Sequence, residues 1–345
     1  GLDAIALCVN DRNPEGKPVP EKLIDFVKML EPSVGAVNLE DISQPNCYYV
    51  LDDLRFSCEI PVWHDDAQGT ACVTLAGLIN ALKLTDKKMS EIRVVLYGAG
   101  ASNTTIARFL LQEGLEPINL VMFDSKGALH SERVDLANNP AKFRQWEFAQ
   151  KTNPKHFNTM EEAMKDADVL ISLSTPGPDI IKPEWIRLMA DKPIVFACAN
   201  PVPEIYPYAA KKAGAFIVAT GRGDFPNQIN NSLGFPGILK GALLVRARQI
   251  TDAMAIKAAY SLADFAEKRG ISPDSIIPRM DEADVFSYEA AEVATQAIKE
   301  GVARKVYSYD YLYNQARDDI QQARETCHKM MNDGSILPVS RKLIE

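Results

Sequence analysis

Two pairs of adjacent carboxylates stand at the ends of short apolar runs, Glu40-Asp41 after Val37-Asn38-Leu39 and Asp65-Asp66 after Val62-Trp63-His64. If the two runs are neighbouring strands, four acids meet at one place and repel one another unless a cation joins them. An all-oxygen donor set suits a hard divalent ion, Mg2+ or Mn2+, with one or two positions left for substrate oxygens. Four solvated loop acids are the other reading. His64 reads as structural or supporting rather than as a ligand. Two later turns are rich in amides, one from Ala199-Asn200-Pro201 to Glu204, the other from Thr220 to Asn230-Asn231. Side-chain amides donate and accept at once, so they can hold a hydroxy-carboxylate without adding charge. Asn is equally an ordinary turn residue.

A third turn has a different chemistry. Tyr97-Gly98-Ala99-Gly100-Ala101-Ser102-Asn103 links an apolar run to a helical pattern over 104–112. The first glycine makes a tight turn, the second lets a pyrophosphate approach the backbone, and the helix N-terminus offers unpaired N–H groups to an anion. Asp124 ends the next apolar run 26 residues after Gly98, near the spacing of about 20 at which a carboxylate meets an adenosine ribose. Asn103 stands where the pattern has its third glycine. Its Cβ would crowd helix against strand, whereas as an N-cap it would be harmless. Ser125 and Lys126 could meet a 2′-phosphate while Asp124 favours a plain ribose, so NAD and NADP both stay open.

These turns need elements to hold them. Apolar runs at 92–97, 120–123, 169–173, 193–199 and 215–220 alternate with helical patterns, which predicts a doubly wound parallel sheet with its ligand crevice at the carboxyl ends of the strands. Before this block, 21–30 reads as an amphipathic helix, 35–39 as a strand and 69–84 as a helix. After it, 237–268 and 287–303 read as long helices. The flanks are expected to fold together as a second α/β domain around the inserted sheet. Residues 1–8 read as a strand already under way with no Met before it, so an upstream segment is expected. Tyr307, Tyr309, Tyr311 and Tyr313 alternate, as an edge strand or a packed aromatic extension would.

The chain has 345 residues, 46% hydrophobic and 24% charged, with a net charge of -8. That is the profile of a folded protein of two or three domains, and without a basic run it excludes the electrostatic footprint of a nucleic-acid binder. No apolar stretch approaches the roughly 18 residues of a membrane span, and a cytoplasmic location is the default. The six cysteines form no CxxC pair and read as reduced, buried thiols.

Together these strings resemble the malic enzyme family in its shorter bacterial and archaeal form. The matching runs are NLEDIS (38–43), IPVWHDDAQGTA (60–71), FACANPVPEI (196–205) and ATGRGDFPNQINNSLGFPG (219–237), and the likeness extends to about Ala303. It implies a Rossmann-like NAD(P)-binding domain over 67–231, the remainder of a metal-binding catalytic domain over 1–66, and a helical segment over 232–345 that packs back on the first. It implies that Glu40, Asp41 and Asp66 hold the metal and that Asp65 supports a catalytic lysine. Asn200 and Asn231 would contact malate, Asn230 would lie beside the nicotinamide, and Ser174 to Gly177 would cover the cofactor's ribose. Gly98, Gly100, Ala101, Ser102, Asn103 and Asp124 complete the cofactor set, and Asn200 borders it.

The implied reaction is oxidative decarboxylation of malate to pyruvate and CO2, with malate and pyruvate as small-molecule partners and a homodimer or larger assembly. The family's tyrosine acid, lysine base and substrate-binding arginine match no position in this sequence. Two alternatives follow, a catalytically impaired protein that binds nucleotide and metal, or a related dehydrogenase for another hydroxy acid.

Overall fold

The structure is a computed structural model that describes residues 1–337; residues 338–345 of the expected tail lie outside them. Two short strands, β1 (Val37–Leu39) and β2 (Val62–His64), pair in parallel. Six more form a second sheet: β3 (Val94–Tyr97), β4 (Leu120–Asp124), β5 (Gly127–Ala128), β6 (Val169–Ser172), β7 (Ile194–Ala197) and β8 (Ile217–Thr220). Their order is β5-β4-β3-β6-β7-β8, and every pairing is parallel except the short β4-β5 hairpin. The chain winds from β3 to β4 on one side and then crosses to β6 on the other. The crevice where the order reverses lies between the carboxyl ends of β3 and β6.

The apolar runs carry no polar alternation because both faces of this sheet are buried. Val94, Leu96, Val169, Ile171, Ile194 and Phe196 face one core, shared with the helix Thr70–Thr85 and the later helices Phe235–Leu244, Asp252–Arg269 and Asp284–Lys299. Val95, Leu170, Val195 and Val218 face the other, against Ile181, Trp185 and Ala210. A third, smaller core joins Val27, Leu39, Val50, Leu54 and Val62 beneath the helices Pro20–Leu30 and Asn46–Ser57. Successive residues of β2 divide between cores, with Val62 in the smallest and Trp63 in the largest.

The five long apolar runs are strands, each within a few residues of its expected bounds. Elsewhere the structure departs from expectation. The span 237–268 is two helices, because Arg246 takes a left-handed φ of 49° and Thr251 caps the second, its Oγ1 accepting from the Met254 N–H at 3.1 Å. Residues 1–8 form no strand; the segment is exposed, and the Gly1 carbonyl accepts from Lys240 Nζ at 2.9 Å. The alternating tyrosines are no edge strand. Ser308 caps the helix Tyr309–Asn332, and within this region Tyr309 lies against Tyr313 and Tyr307 against Tyr311. A spacing of four is a helical neighbour, so a two-residue alternation fits a helix as well as a strand. All six thiols are free, but Cys8 and Cys327 are exposed rather than buried. No helix among the described residues is long and apolar enough to cross a membrane.

Candidate active site

Register builds the acid cluster. Leu39 lies opposite His64 in the β1-β2 pair, so the residues that follow, Glu40-Asp41 and Asp65-Asp66, leave the two strands side by side. Asp41 turns with a left-handed φ of 59°, and its N–H donates to Asp66 Oδ2 at 2.9 Å. The carboxyl groups of Glu40 and Asp65 hydrogen-bond to each other. Burial, with the Asp66 charge next, holds Glu40 above the usual carboxylate range against the Asn38 Nδ2 donation at 2.9 Å. Burial also pushes Asp65 up to about 7, opposed by the Trp63 Nε1 donation at 3.1 Å and reinforced by Glu40 and Asp66. A cation among these acids would relieve the same crowding. Oxygen-only and poorly supplied with donors, the set has the donor chemistry of a hard divalent site, although among the described residues no three of these acids bring oxygens within 4.8 Å of one another.

Asp65 and Asp66 open a π-helical turn, Asp65–Gly69, that leads into the helix Thr70–Thr85. Such turns are rare and frequent at functional sites. The Asp65 carboxylate lies over Gly69, where a Cβ would stand 2.0 Å from Oδ1 and 3.2 Å from the Asn231 Cβ. Asp65 and Asn231, 166 positions apart, are thereby neighbours. His64 is buried, with neither ring nitrogen hydrogen-bonded and Nδ1 4.0 Å from Asp66 Oδ2. Burial lowers its pKa and keeps it neutral.

The glycine turn meets this cluster directly. Ser102 Oγ donates to the Asp66 carbonyl at 2.8 Å. Gly98 has a φ of 106°, and a Cβ there would fall 2.3 Å from the Leu173 carbonyl oxygen at the end of β6, so only glycine fits. A Cβ at Gly100 would meet nothing within 4 Å, which leaves room for a pyrophosphate at the N-terminus of the helix Ala101–Gln112. That helix begins at Ala101, with Gly100 and not Asn103 as its N-cap. Asn103 is fully buried within the first turn, and its Nδ2 donates to the carbonyls of Tyr97 (3.1 Å) and Gly98 (2.8 Å). The amide stitches the turn instead of crowding it.

Asp124 stands at the end of β4 as expected, but it is already paired. Arg133 donates to Oδ2 at 2.9 Å and to Oδ1 at 3.2 Å, while its Nε holds Asp135 at 2.7 Å. The two carboxylates raise the Arg133 pKa, and the guanidinium holds Asp135 below the usual range. Arg133 escaped the sequence reading because the β4-β5 hairpin separates it from Asp124. The buried Glu204 escaped it too, hidden in a proline-rich run. Its Oε1 accepts from Ser172 Oγ (2.7 Å) and from the N–H and Oγ of Ser174 (2.9 and 3.2 Å), and its Oε2 from the Ala199 N–H (3.0 Å). One carboxylate therefore ties the ends of β6 and β7, and the Gly177 N–H donates to the Val202 carbonyl at 3.3 Å beside it.

Asn200 and Asn230 converge on Gly221. A Cβ there would lie 2.9 Å from Asn200 Nδ2, and Asn230 Nδ2 donates to the Gly221 carbonyl at 3.2 Å. Asn227, in contrast, is spent on structure, bonding the Val218 and Pro273 carbonyls. A further buried acid lies close to Asp65. Glu289 is fully buried with both oxygens unpartnered, and burial first, then the Asp65 charge, raises its pKa well above the ordinary value.

The family model described as the NAD-binding domain of malic enzyme matches residues 67–299. The NAD-dependent malic enzyme of Geobacillus stearothermophilus is 42% identical over 307 residues, covering 88% of this chain and 61% of the relative. The NADP-dependent malic enzyme of Halomonas elongata is 40% identical over 307 residues, covering 85% and 70%. The chain thus spans about two thirds of these relatives' lengths. A crystal structure of Entamoeba histolytica malic enzyme superposes with a TM-score of 0.96 at 58% identity, over 99% of this chain and 70% of that one. With its glycine turn, its doubly wound sheet and these relatives, the chain belongs to the malic enzyme family of NAD- or NADP-dependent oxidoreductases.

Proposed function

We propose that this chain carries the metal- and cofactor-binding body of an enzyme that converts malate to pyruvate and CO2 while reducing NAD+ or NADP+. The observation that carries the reading is the Ser102 to Asp66 hydrogen bond, which joins the nucleotide turn to the acid cluster. Hydride transfer and decarboxylation need a dinucleotide and an electron sink within reach of one substrate carbon chain.

Glu40, Asp41 and Asp66 would hold Mg2+ or Mn2+, which when bound polarises the substrate's C2 oxygen and carboxylate as a Lewis acid. Asp65 is the anchor for the family's lysine base, in contact with Glu40 and beside Asn231. Asn231 and Asn200 bind the malate oxygens, and Asn230, braced by Ser232 Oγ at 2.6 Å, flanks the nicotinamide. Gly98, Gly100, Ala101 and Ser102 seat the pyrophosphate, while Asn103 fixes their backbone. Asp124 and Arg133 receive the adenosine ribose, and Ser174 and Gly177 the nicotinamide ribose. A dinucleotide held there would supply the hydride acceptor for C2; loss of the hydroxyl proton to the base, departure of C4 as CO2 and return of a proton to C3 would complete the balance. The same reading carries the division into 1–66, 67–231 and 232–345, a cytoplasmic location and a homodimer or larger assembly.

The test is reduction of NAD+ and NADP+ with malate and Mn2+, or with chelator, by this chain and by the complete reading frame. Formation of pyruvate and reduced cofactor in equal amounts, lost with chelator and at least about 100-fold down in Asp66→Asn, is expected of the complete frame. Metal and nucleotide binding without any reduction by the complete frame would leave a binding protein and overturn the reading.

A further inference from the structure

Two of the chain's four histidines stand together away from the acid cluster. His130 follows β5, and His156 lies in the loop after the helix Phe143–Lys151. Their rings stack with centroids 5.1 Å apart. Glu132 joins them, with Oε2 3.7 Å from His156 Nδ1, and one ligand atom from each of the three residues lies within 4.8 Å of the others. The histidines are half-buried and the glutamate is exposed, so an ion can reach them from solvent.

The scaffold beneath is rigid. Asn153 is buried, and its Nδ2 donates both to the Leu129 carbonyl (3.1 Å), one residue before His130, and to the Phe157 carbonyl (3.0 Å), one residue after His156. Its Oδ1 accepts from the Phe157 N–H at 2.9 Å. One side chain therefore fixes both loops that carry the imidazoles. His156 is further held in a left-handed turn with φ 51°, and its Nε2 is 3.5 Å from Ser131 Oγ. Ligands placed by a shared buried residue are preorganised.

We propose that His130, Glu132 and His156 form a binding site for a borderline transition ion of the Zn2+ class, separate from the magnesium-type cluster at Glu40, Asp41 and Asp66. Tetrahedral zinc with bonds of about 2.0–2.2 Å separates its donors by roughly 3.4 Å, so the 3.7 Å between His156 Nδ1 and Glu132 Oε2 closes with a small rotation. Two imidazoles and one carboxylate select Zn2+, Co2+ or Ni2+ over Mg2+, which prefers six oxygens. Bound there, the ion clips the loop after β5 to the loop at 152–158 and leaves a coordination position for water.

The experiment titrates Zn2+ against a competing chromophoric chelator in the 345-residue chain, with saturating Mg2+ present and the exposed Cys8 and Cys327 replaced by Ser. One ion per chain is expected. Its affinity should fall at least about tenfold in His130→Gln, His156→Gln and Glu132→Gln and stay unchanged in Asp66→Asn. Co2+ substitution should give a visible absorption band that the two histidine variants lose. Thermal unfolding without zinc should be unchanged in Glu132→Gln, whose side chain is exposed, so that its loss of affinity reports on coordination alone. Equal zinc affinity in the histidine variants, displacement by Mg2+, or loss in Asp66→Asn alone would overturn the assignment.

Discussion

At the scale of single residues, the acid cluster is legible where a side chain's type and its place at a strand end suffice. Glu40, Asp41, Asp65 and Asp66 could be singled out because apolar runs precede them. Arg133 could not, since nothing local pairs an arginine with an acid nine positions away across a hairpin. Its position suggests a role in cofactor choice. Arg133 neutralises Asp124, and without it the bare carboxylate would repel a 2′-phosphate. Arg133→Gln is therefore expected to raise the KM for NADP+ about tenfold and that for NAD+ less than about threefold, the contrast expected of one unscreened like charge; equal rises would refute this. Glu289 makes a pH prediction. Its folded pKa is raised, so between its unfolded and folded values the native state holds a proton that the unfolded chain has lost, and stability falls as pH rises. Glu289→Gln removes that loss. Its melting temperature should match the parent near pH 4 and exceed it as pH rises above the ordinary glutamate value, as differential scanning calorimetry would register.

At the scale of elements, buried runs announced their strands, because a sheet covered on both faces needs apolar residues at every position. Period alone misled where two geometries share it, as in Tyr307 to Tyr313, whose i, i+4 contacts place them in or beside the final helix. It also could not see breaks set by one residue's backbone, as at Arg246. Glu204 illustrates a constraint that no pattern carries: a buried carboxylate that collects four donors from the ends of β6 and β7. Glu204→Gln keeps the shape but replaces an acceptor with a donor facing donors. A loss of about 2–4 kcal/mol is expected from several charge-assisted bonds, with a higher KM for the dinucleotide because Ser174 is no longer held. Denaturant titration and initial-rate kinetics check the two effects separately, and unchanged stability would show that the clamp is dispensable.

At the scale of the whole molecule, the sequence pointed to a wound sheet with flanking segments, and the contacts add how the cores are shared. The helices Phe235–Leu244, Asp252–Arg269 and Asp284–Lys299 pack into the same core as one face of the six-stranded sheet. Those parts have no reason to melt separately. The smallest core, beneath Pro20–Leu30 and Asn46–Ser57, is different, for it meets the rest along β2, where Val62 points one way and Trp63 the other, and otherwise through polar contacts such as Tyr48 with Thr104, Arg55 with Ile250 and Asp52 with Arg144. The seam runs straight into the acid cluster: Glu40 and Asp41 follow β1 on the minor side, while Ser102 and Asn231 belong to the major body. A divalent ion held by Glu40, Asp41 and Asp66 would therefore act as a rivet between two cooperative blocks. In chelator, calorimetry should resolve an early endotherm for the block around Val27 and Leu54 ahead of the main one; in Mn2+ the two should fuse at the higher temperature. Such a rivet would give the ion a mechanical office beside the chemical one proposed for it, since holding it would freeze the breathing of one block against the other along the seam.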